Sequence, residues 1–297
     1  MNGQTASFEL AYVPPLDWPF FLRYLGARAT PGVEAVAGHC YIRTFQADGC
    51  AGTLTVSHHP TEPRLTIEVR SNSQAPDAFN QKQVRTLFDL DADMSRVNGA
   101  LAADQFLGPL IAQAPGIRIP GAWSPFELLV RTIVGQQVTV RAATTIMGRI
   151  VSRFGRPLSG ARPDEPTYLF PEPADLALGN LAGIGMPGQR IAALQHVARA
   201  VAENAVRFTD STEKTAEIKK ALLALPGIGH WTVAYFALRA LRETDAWPAT
   251  DLVLRRAVDE FAAESGCPIP LERWSPYRGY AAMHLWNHAA QRNSVRR

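Results

Sequence analysis

The chain has 297 residues, which is enough for one large domain or for two to three small ones. Its hydrophobic fraction of 46% and charged fraction of 19% are those of a globular protein, and they exclude an intrinsically disordered chain. A net charge of +3 is too small to indicate a nucleic-acid partner by itself.

The three cysteines are scattered, at Cys40, Cys50 and Cys267, with no C-x-x-C pair among them. This pattern excludes a zinc ribbon or a four-cysteine iron–sulfur cluster within one chain. The first residues lack a basic segment followed by an apolar one, and no apolar run reaches the roughly 18 residues of a membrane helix. We therefore expect a cytoplasmic protein with no membrane partner.

Residues 1–90 have the pattern of a small β-sheet with two helices. Leu65, Ile67 and Val69 alternate with polar residues, which predicts a half-buried strand. Other predicted elements of this part are strands at 40–46 and 52–59 around a turn signal at 47–49, and helices at 17–29 and 81–90.

From residue 91 onwards the pattern changes to helices joined by loops rich in proline and glycine. Ser124 precedes Pro125 and is typical of a helix start. The helix that follows is predicted over 126–154, with an interruption at Gly135. The fold class is therefore predicted as α+β, a sheet domain followed by a helical region over 91–297.

Two glycine-rich loops are candidates for phosphate binding, and the first is weak. Gly183, Gly185 and Gly188 match G-x-G-x-x-G, but the motif follows a helical stretch rather than a strand and contains Pro187. We interpret it as a turn between two helices rather than a dinucleotide site.

The second loop, 225–229 (LPGIG), joins a predicted helix at 212–225 to one that starts near His230. Gly227 and Gly229 predict a tight turn with positive φ. Such a hairpin exposes backbone N–H groups at a helix N-terminus, which bind phosphate without reading sequence. An ordinary helix–helix loop is the alternative. Residues expected to contact a DNA backbone are Gly227, Ile228, Gly229 and Thr232.

Asp251 follows the hairpin at a short distance and opens an apolar, helix-like run. A lone aspartate in this position is typical of a helix N-cap. A carboxylate beside a bound DNA strand is repelled by phosphate, however, so positive charge developing on the substrate explains it better. Cleavage of an N-glycosidic bond produces such charge, because the sugar becomes oxocarbenium-like.

These motifs together resemble the helix-hairpin-helix DNA glycosylases. Their signature is L-P-G-[IV]-G, then a T-A-like helix, then an aspartate leading into V-x-R, here Leu225–Gly229, Thr232–Ala234 and Asp251 with Leu254–Arg255. More narrowly, the chain resembles the AlkA-type DNA-3-methyladenine glycosylases over about residues 8–290. The stretches that carry this narrower resemblance are PPLDW (14–18), LFDLDAD (87–93), VNGAL (97–101), GIRIPG (116–121), GHWTVAYFALR (229–239) and YAAMHLW (280–286).

The resemblance implies a TATA-binding-protein-like sheet domain over 1–90 and, over 91–297, two helical subdomains with the base pocket in the cleft between them. It implies a nucleoid-associated enzyme of a bacterium that acts as a monomer on damaged double-stranded DNA. Such enzymes excise N3- and N7-alkylated purines by base flipping. It implies no required cofactor.

Members that also nick the strand carry a lysine just after the hairpin, which forms a Schiff base. Trp231 occupies that position here, and Lys219 and Lys220 precede the turn. We therefore predict a monofunctional enzyme that leaves an abasic site. The alternatives are a non-enzymatic DNA-binding protein that uses the same hairpin, and a glycosylase-lyase for oxidised guanine.

Trp231 and Tyr235 lie one helical turn apart, a spacing that by itself is more typical of a core. The resemblance implies that both line the base pocket, together with Trp286 and with Tyr24 from the first domain. Electron-rich ring faces attract a cationic alkylated base by about 0.5–2 kcal/mol per contact. Such a base is already a good leaving group, so no leaving-group acid is expected.

The resemblance implies that the residue that fills the gap left by a flipped base falls within GQQV (135–138), which makes Gln136 and Gln137 the candidates. Gln137 departs from the leucine of AlkA-type enzymes, and a solvated helix end is the alternative for both. The resemblance also implies a Na⁺ or K⁺ ion at the hairpin. Its ligands would be the backbone carbonyls of Leu223, Leu225 and Ile228.

His284 and His288 share the spacing of a metal-binding pair. They have no Glu or Cys partner nearby in the sequence, so no transition-metal site is predicted.

Overall fold

The computed structural model describes residues 4–47, 49–73, 77–162, 164–208 and 214–295. The strands are β1 (Gln4–Ala11), β2 (Glu34–Ala37), β3 (Cys40–Ala47), β4 (Cys50–His58), β5 (Arg64–Ser71), β6 (Arg156–Pro157) and β7 (Tyr168–Leu169). The helices are α1 (Trp18–Arg28), α2 (Asp77–Leu87), α3 (Met94–Leu101), α4 (Leu107–Gln113), α5 (Pro125–Val134), α6 (Val140–Phe154), α7 (Pro173–Leu178), α8 (Gly188–Ala202), α9 (Thr215–Leu223), α10 (His230–Arg239), α11 (Leu252–Ser265) and α12 (Arg278–Val295).

The N-terminal sheet has the order β1-β5-β4-β3-β2, with antiparallel pairing throughout. Leu65, Ile67 and Val69 of β5 are all buried, as their alternation predicted. β3 and β4 are the other two predicted strands, and their pairing runs down to Ala47 opposite Cys50. The predicted turn between them includes residue 48, which lies outside the described residues.

The long helical segment is interrupted where the sequence predicts it. The Ser124 hydroxyl caps α5 by accepting from the N–H of Glu127, and α5 ends at the C-cap Gly135. A short turn then leads to α6, whose N-cap is Thr139. The G-x-G-x-x-G segment is a turn between α7 and α8, as expected. The fold is α+β, an antiparallel sheet domain followed by a helical region.

Two hydrophobic cores hold these elements together. The first joins the sheet and α1 to the C-terminal helices, and its members include Phe21 of α1, Ile67 of β5 and Tyr280 of α12. The second lies among α5, α6, α8 and α10. Helix α10 belongs to both, because Phe236 packs in the second core and Leu238 in the first. Within the described residues, none of the helices is long and apolar enough to cross a membrane.

Candidate active site

The hairpin between α9 and α10 contains two glycines with different roles. Gly227 has φ +82°, and a Cβ there would lie 2.5 Å from Cβ of Ala193 on α8, so both conformation and space require glycine. Gly229 has φ −101° and is the N-cap of α10. The prediction of positive φ was therefore right for Gly227 and wrong for Gly229. A Cβ on Gly229 would meet nothing within 4 Å, so this glycine lies on an open surface.

The side chain of Gln136 ties the α5–α6 turn to this hairpin. Its Nε2 donates to the carbonyl of Gly227 at 3.2 Å and to Oγ1 of Thr232 at 3.1 Å. Thr232 and Ile228 are both buried. The Thr232 hydroxyl is thus turned inwards, and its backbone N–H, in the first turn of α10, is the group that can serve an incoming anion.

The neighbouring Gln137 is placed differently. Its side chain is exposed, and its backbone has φ +56°, in the left-handed region that non-glycine residues seldom adopt. Of the two glutamines, Gln137 is therefore the one that projects from the turn.

Asp251 is both a helix cap and the centre of a polar cluster. Its Oδ1 accepts from the backbone N–H groups of Val253 at 3.0 Å and Leu254 at 3.1 Å, which makes it the N-cap of α11. The same oxygen accepts from Nε1 of Trp286 at 3.1 Å, and Oδ2 accepts from Nε1 of Trp231 at 3.0 Å. Four donors and the positive end of the α11 dipole thus hold the carboxylate in one orientation.

Four aromatic side chains surround this carboxylate. Trp231 stacks on Tyr235 with ring centroids 5.5 Å apart, and Tyr235 meets Trp286 edge-on at 5.9 Å. Tyr24 reaches the cluster from α1, with its hydroxyl 3.0 Å from that of Tyr235. The structure thus brings all four rings and Asp251 to the wall of one cavity of about 430 Å³.

Three arginines in the cavity wall were not found by sequence reasoning: Arg28, Arg131 and Arg239. Arg28 and Arg239 each follow a pocket tyrosine by four positions on the same helix, which is the signal that could have indicated them. Arg239 is buried and donates to the carbonyls of Pro120 at 2.7 Å and Gly121 at 2.8 Å.

The guanidinium groups of Arg28 and Arg239 cover ring faces of Tyr24 and Tyr235 that were expected to pack against a cationic base. Arg28 lies 3.9 Å from the ring centroid of Tyr24, and Arg239 lies 5.5 Å from that of Tyr235. The indole rings of Trp231 and Trp286 are therefore the better-placed faces for a cation.

The arginines also change the acidity of the two phenols. Burial by itself raises the pKa of Tyr235, but the positive charges of Arg239 and Arg28, with the hydrogen bonds that Tyr24 and Arg239 donate to its ionised form, outweigh it and lower the pKa to about 8. Burial raises the pKa of Tyr24, against the opposing effect of Arg239. Tyr235 is thus the more acidic member of the pair.

The described residues contain no group of three or more His, Cys, Asp or Glu side chains that could hold a metal ion. His284 is buried in the first core, and burial lowers its pKa to about 4. At the hairpin, the carbonyl of Leu225 accepts from the N–H of Ile228 at 3.2 Å and keeps a second lone pair.

Two family models match the chain. The AlkA N-terminal domain matches residues 7–124, and the HhH-GPD superfamily base excision DNA repair protein matches residues 130–270. DNA-3-methyladenine glycosylase 2 of Escherichia coli (strain K12) is 34% identical over 285 residues, which cover 94% of this chain and 96% of that protein.

A second relative is longer than this chain. The probable bifunctional transcriptional activator/DNA repair enzyme AlkA of Mycobacterium tuberculosis (strain ATCC 25618 / H37Rv) is 32% identical, and the match covers 96% of this chain and 57% of that protein. Among solved structures, the 3-methyladenine DNA-glycosylase from Archaeoglobus fulgidus has the same fold, with a TM-score of 0.79 at 19% identity, covering 95% of this chain and 98% of that one. The chain therefore belongs to the AlkA-type DNA-3-methyladenine glycosylases, enzymes of the HhH-GPD superfamily of base excision DNA repair.

Proposed function

We propose that this enzyme is monofunctional: it flips an N-alkylated purine of the 3-methyladenine and 7-methylguanine class out of duplex DNA and hydrolyses its bond to deoxyribose, leaving an abasic site. The observation that carries the proposal is the position of Asp251. Its carboxylate lies in the wall of the aromatic cavity and is held there by two indole N–H groups.

Within this proposal, Asp251 stabilises positive charge on the sugar as the base departs. Oδ1 accepts three hydrogen bonds from the described residues, whereas Oδ2 accepts one, from Trp231. Because an ionised carboxylate oxygen has room for more than one donor, Oδ2 is the atom that faces C1′ or the attacking water. Trp231, Tyr235, Trp286 and Tyr24 form the walls against which the flipped base packs.

The absence of lyase chemistry follows from the position after the hairpin. Trp231, and not a lysine, follows the hairpin turn at the cavity. Lys219, on α9, donates to Glu243 at 2.6 Å, so its amine is held in an ion pair. Water is therefore the nucleophile, and no Schiff base forms with the sugar.

The hairpin holds the strand next to the flipped nucleotide. The backbone N–H groups of Gly227, Ile228, Gly229 and Thr232 bind its phosphate, with the open face of Gly229 admitting the close approach. Gln137 fills the gap in the duplex, and Gln136 holds the α5–α6 turn against the hairpin.

A Na⁺ or K⁺ ion at the hairpin would be bound by the carbonyls of Leu223, Leu225 and Ile228. Carbonyls at the C-terminal end of a helix lack intrahelical partners, so the end of α9 suits a monovalent cation. The chemistry itself requires no cofactor. We place the enzyme in the cytoplasm, at the nucleoid, acting on damaged double-stranded DNA as a monomer.

We place the domain boundary near residue 90, after α2 (Asp77–Leu87). The region 91–297 then forms two helical subdomains on either side of the cleft. The membership of α10 in both hydrophobic cores supports this division of the helical region.

Base release from methylated duplex DNA tests the function. Wild type should release free 3-methyladenine, and Asp251→Asn should lower the rate by about 100-fold or more while DNA binding persists, because asparagine keeps the size and capping oxygen but loses the charge. Asp259→Asn, on the exposed face of α11, is the matched control and should behave as wild type. Equal release by Asp251→Asn and wild type would contradict the mechanism, and a DNA adduct trapped by borohydride would indicate a lyase.

A further inference from the structure

Three polar side chains of the cavity wall, those of Arg239, Tyr235 and Tyr24, are joined in series by hydrogen bonds. Arg239 donates from Nη1 to the hydroxyl oxygen of Tyr235 at 3.0 Å, and that oxygen lies 3.0 Å from the hydroxyl of Tyr24. Arg239 is anchored at its other end by the carbonyls of Pro120 and Gly121. The series thus begins at a fixed buried charge and ends at a residue of the cavity wall.

One hydroxyl hydrogen of these hydrogen-bonded side chains has no acceptor among the described residues. The two phenols carry two hydrogens, and the bond between them uses one. Among the described residues, no other side chain or carbonyl accepts from either hydroxyl. Because Arg239 polarises the hydroxyl of Tyr235, the favoured direction runs from Arg239 through Tyr235 to Tyr24. The spare O–H is then that of Tyr24.

The charge of the cavity wall suits an electron-rich base. Three guanidinium groups line it, those of Arg28, Arg131 and Arg239, against a single carboxylate, that of Asp251, among the described lining residues. Arg28 and Arg239 lie on the side of Tyr24 and Tyr235, whereas the two tryptophans bond to Asp251. The site therefore has a negative group for the sugar and a positive region for the base.

We propose that Tyr24, oriented and polarised by Tyr235 and Arg239, donates a hydrogen bond to an acceptor atom of the flipped base and so determines how well uncharged damaged purines are excised. This inference rests on the proposed function and adds a base-recognition residue to it. An alkylated base leaves as a neutral molecule, whereas an uncharged purine leaves with negative charge. A donor backed by positive charge therefore matters far more for the uncharged purine.

The reaction balances without a further reactant. The bond from C1′ to the base nitrogen breaks, and its electron pair leaves with the base. Water adds its oxygen to C1′ and loses one proton. An uncharged purine, which leaves as an anion, gains one proton, whereas an alkylated base leaves neutral and the proton from water passes to the solvent. Tyr24 lowers the energy of the negative charge before the uncharged purine gains its proton, and it ends the cycle with its own hydrogen in place.

Tyr24→Phe tests the proposal, because it removes one oxygen and keeps the ring. Release of hypoxanthine, an uncharged purine, from a duplex oligonucleotide should fall by about tenfold, the effect of one lost hydrogen bond to a charged group. Release of 3-methyladenine from methylated DNA should fall much less, because the ring that packs against the base is kept and this base leaves without negative charge. Tyr235→Phe should also lower hypoxanthine release selectively, but by less, because Tyr24 keeps its O–H and loses only the hydrogen bond that polarises it.

Tyr12→Phe is the matched control, since the hydroxyl of Tyr12 bonds to His58, outside the cavity wall. It should leave both rates unchanged. Equal losses on both substrates in Tyr24→Phe would mean that the hydroxyl pair only positions the helices, and the proposal would fall while the glycosylase function stood. A wild-type enzyme that releases 3-methyladenine and no hypoxanthine would also overturn it. Release of neither base would refute the proposed function itself.

Discussion

The indole N–H of Trp231 lies 3.0 Å from Oδ2 of Asp251, and this bond joins the first turn of the hairpin helix α10 to the N-cap of α11. The element proposed to hold the DNA backbone is thereby coupled to the carboxylate proposed to act on the sugar. A bound phosphate that shifts the hairpin would therefore also shift the indole N–H that Asp251 accepts.

The two tryptophans should differ in importance. Trp231→Phe removes the one side-chain donor that Oδ2 has among the described residues, whereas Trp286→Phe leaves Oδ1 with two backbone donors. We expect base release to fall by about tenfold or more in Trp231→Phe and less in Trp286→Phe. Single-turnover rates on methylated DNA measure the difference. A larger loss in Trp286→Phe would show that Oδ1 is the reacting oxygen.

Substitution of the two hairpin glycines should have different effects, one on thermal stability and the other on DNA affinity. Gly227→Ala should lower the thermal stability, because φ is +82° and the new Cβ would meet Ala193. Gly229→Ala should keep the stability of wild type and weaken DNA binding, because its added methyl projects into open space where the phosphodiester approaches. Thermal unfolding and a DNA titration distinguish the two. Unchanged DNA affinity in Gly229→Ala would contradict the proposed contact.

Substitution of the two glutamines should also have different effects, one on base release alone and the other on stability and DNA affinity. Gln137→Ala should slow base release without changing stability, because it removes the exposed side chain that is proposed to fill the gap left by the flipped base. Gln137→Leu, which restores bulk, should recover the rate. Gln136→Ala should lower the stability and the DNA affinity together, since it breaks the bonds to Gly227 and Thr232. Wild-type rates in Gln137→Ala would assign the gap-filling role to another residue.

Substrate choice should depend on pH through Tyr235, whose pKa is lowered to about 8. Below that pH the phenol pair keeps both hydrogens. Above it, the Tyr235 phenolate accepts the hydrogen of Tyr24, and no donor remains for the base. The charged and titratable groups around Tyr235 are Tyr24 and Arg28 on α1, Arg131 on α5, Arg239 on α10 and Asp251 at the start of α11.

The ratio of hypoxanthine release to 3-methyladenine release should therefore fall between about pH 7 and about pH 9. Taking the ratio cancels effects of pH that act on both substrates alike, such as those on DNA binding. The fall should be absent in Tyr24→Phe, which serves as the control. A ratio that rises or stays level across this range in wild type would contradict the donor role.

Much of the local structure followed from the sequence. The alternation of Leu65, Ile67 and Val69 predicts β5, and the break at Gly135 separates α5 from α6, because periodicity and capping are local properties. β1 (Gln4–Ala11) was missed because most of its side chains are exposed and show no alternation. The sequence did not indicate that the Thr232 hydroxyl accepts from Gln136, a contact that leaves the backbone N–H of Thr232 as the group proposed to bind DNA.

The sequence by itself determined the sheet-then-helices order, the hairpin at 225–229 and the candidate Asp251 beyond it, because each is marked within one short segment. The pocket positions of Trp231 and Tyr235 were expected only from the family resemblance, since their spacing alone is more typical of a core. Only the tertiary structure decided which oxygen of Asp251 accepts fewer hydrogen bonds and that Tyr24 meets Tyr235 across 211 positions of chain. Such contacts depend on how burial of the two hydrophobic cores brings α1, α10 and α12 together, and no local pattern encodes that arrangement.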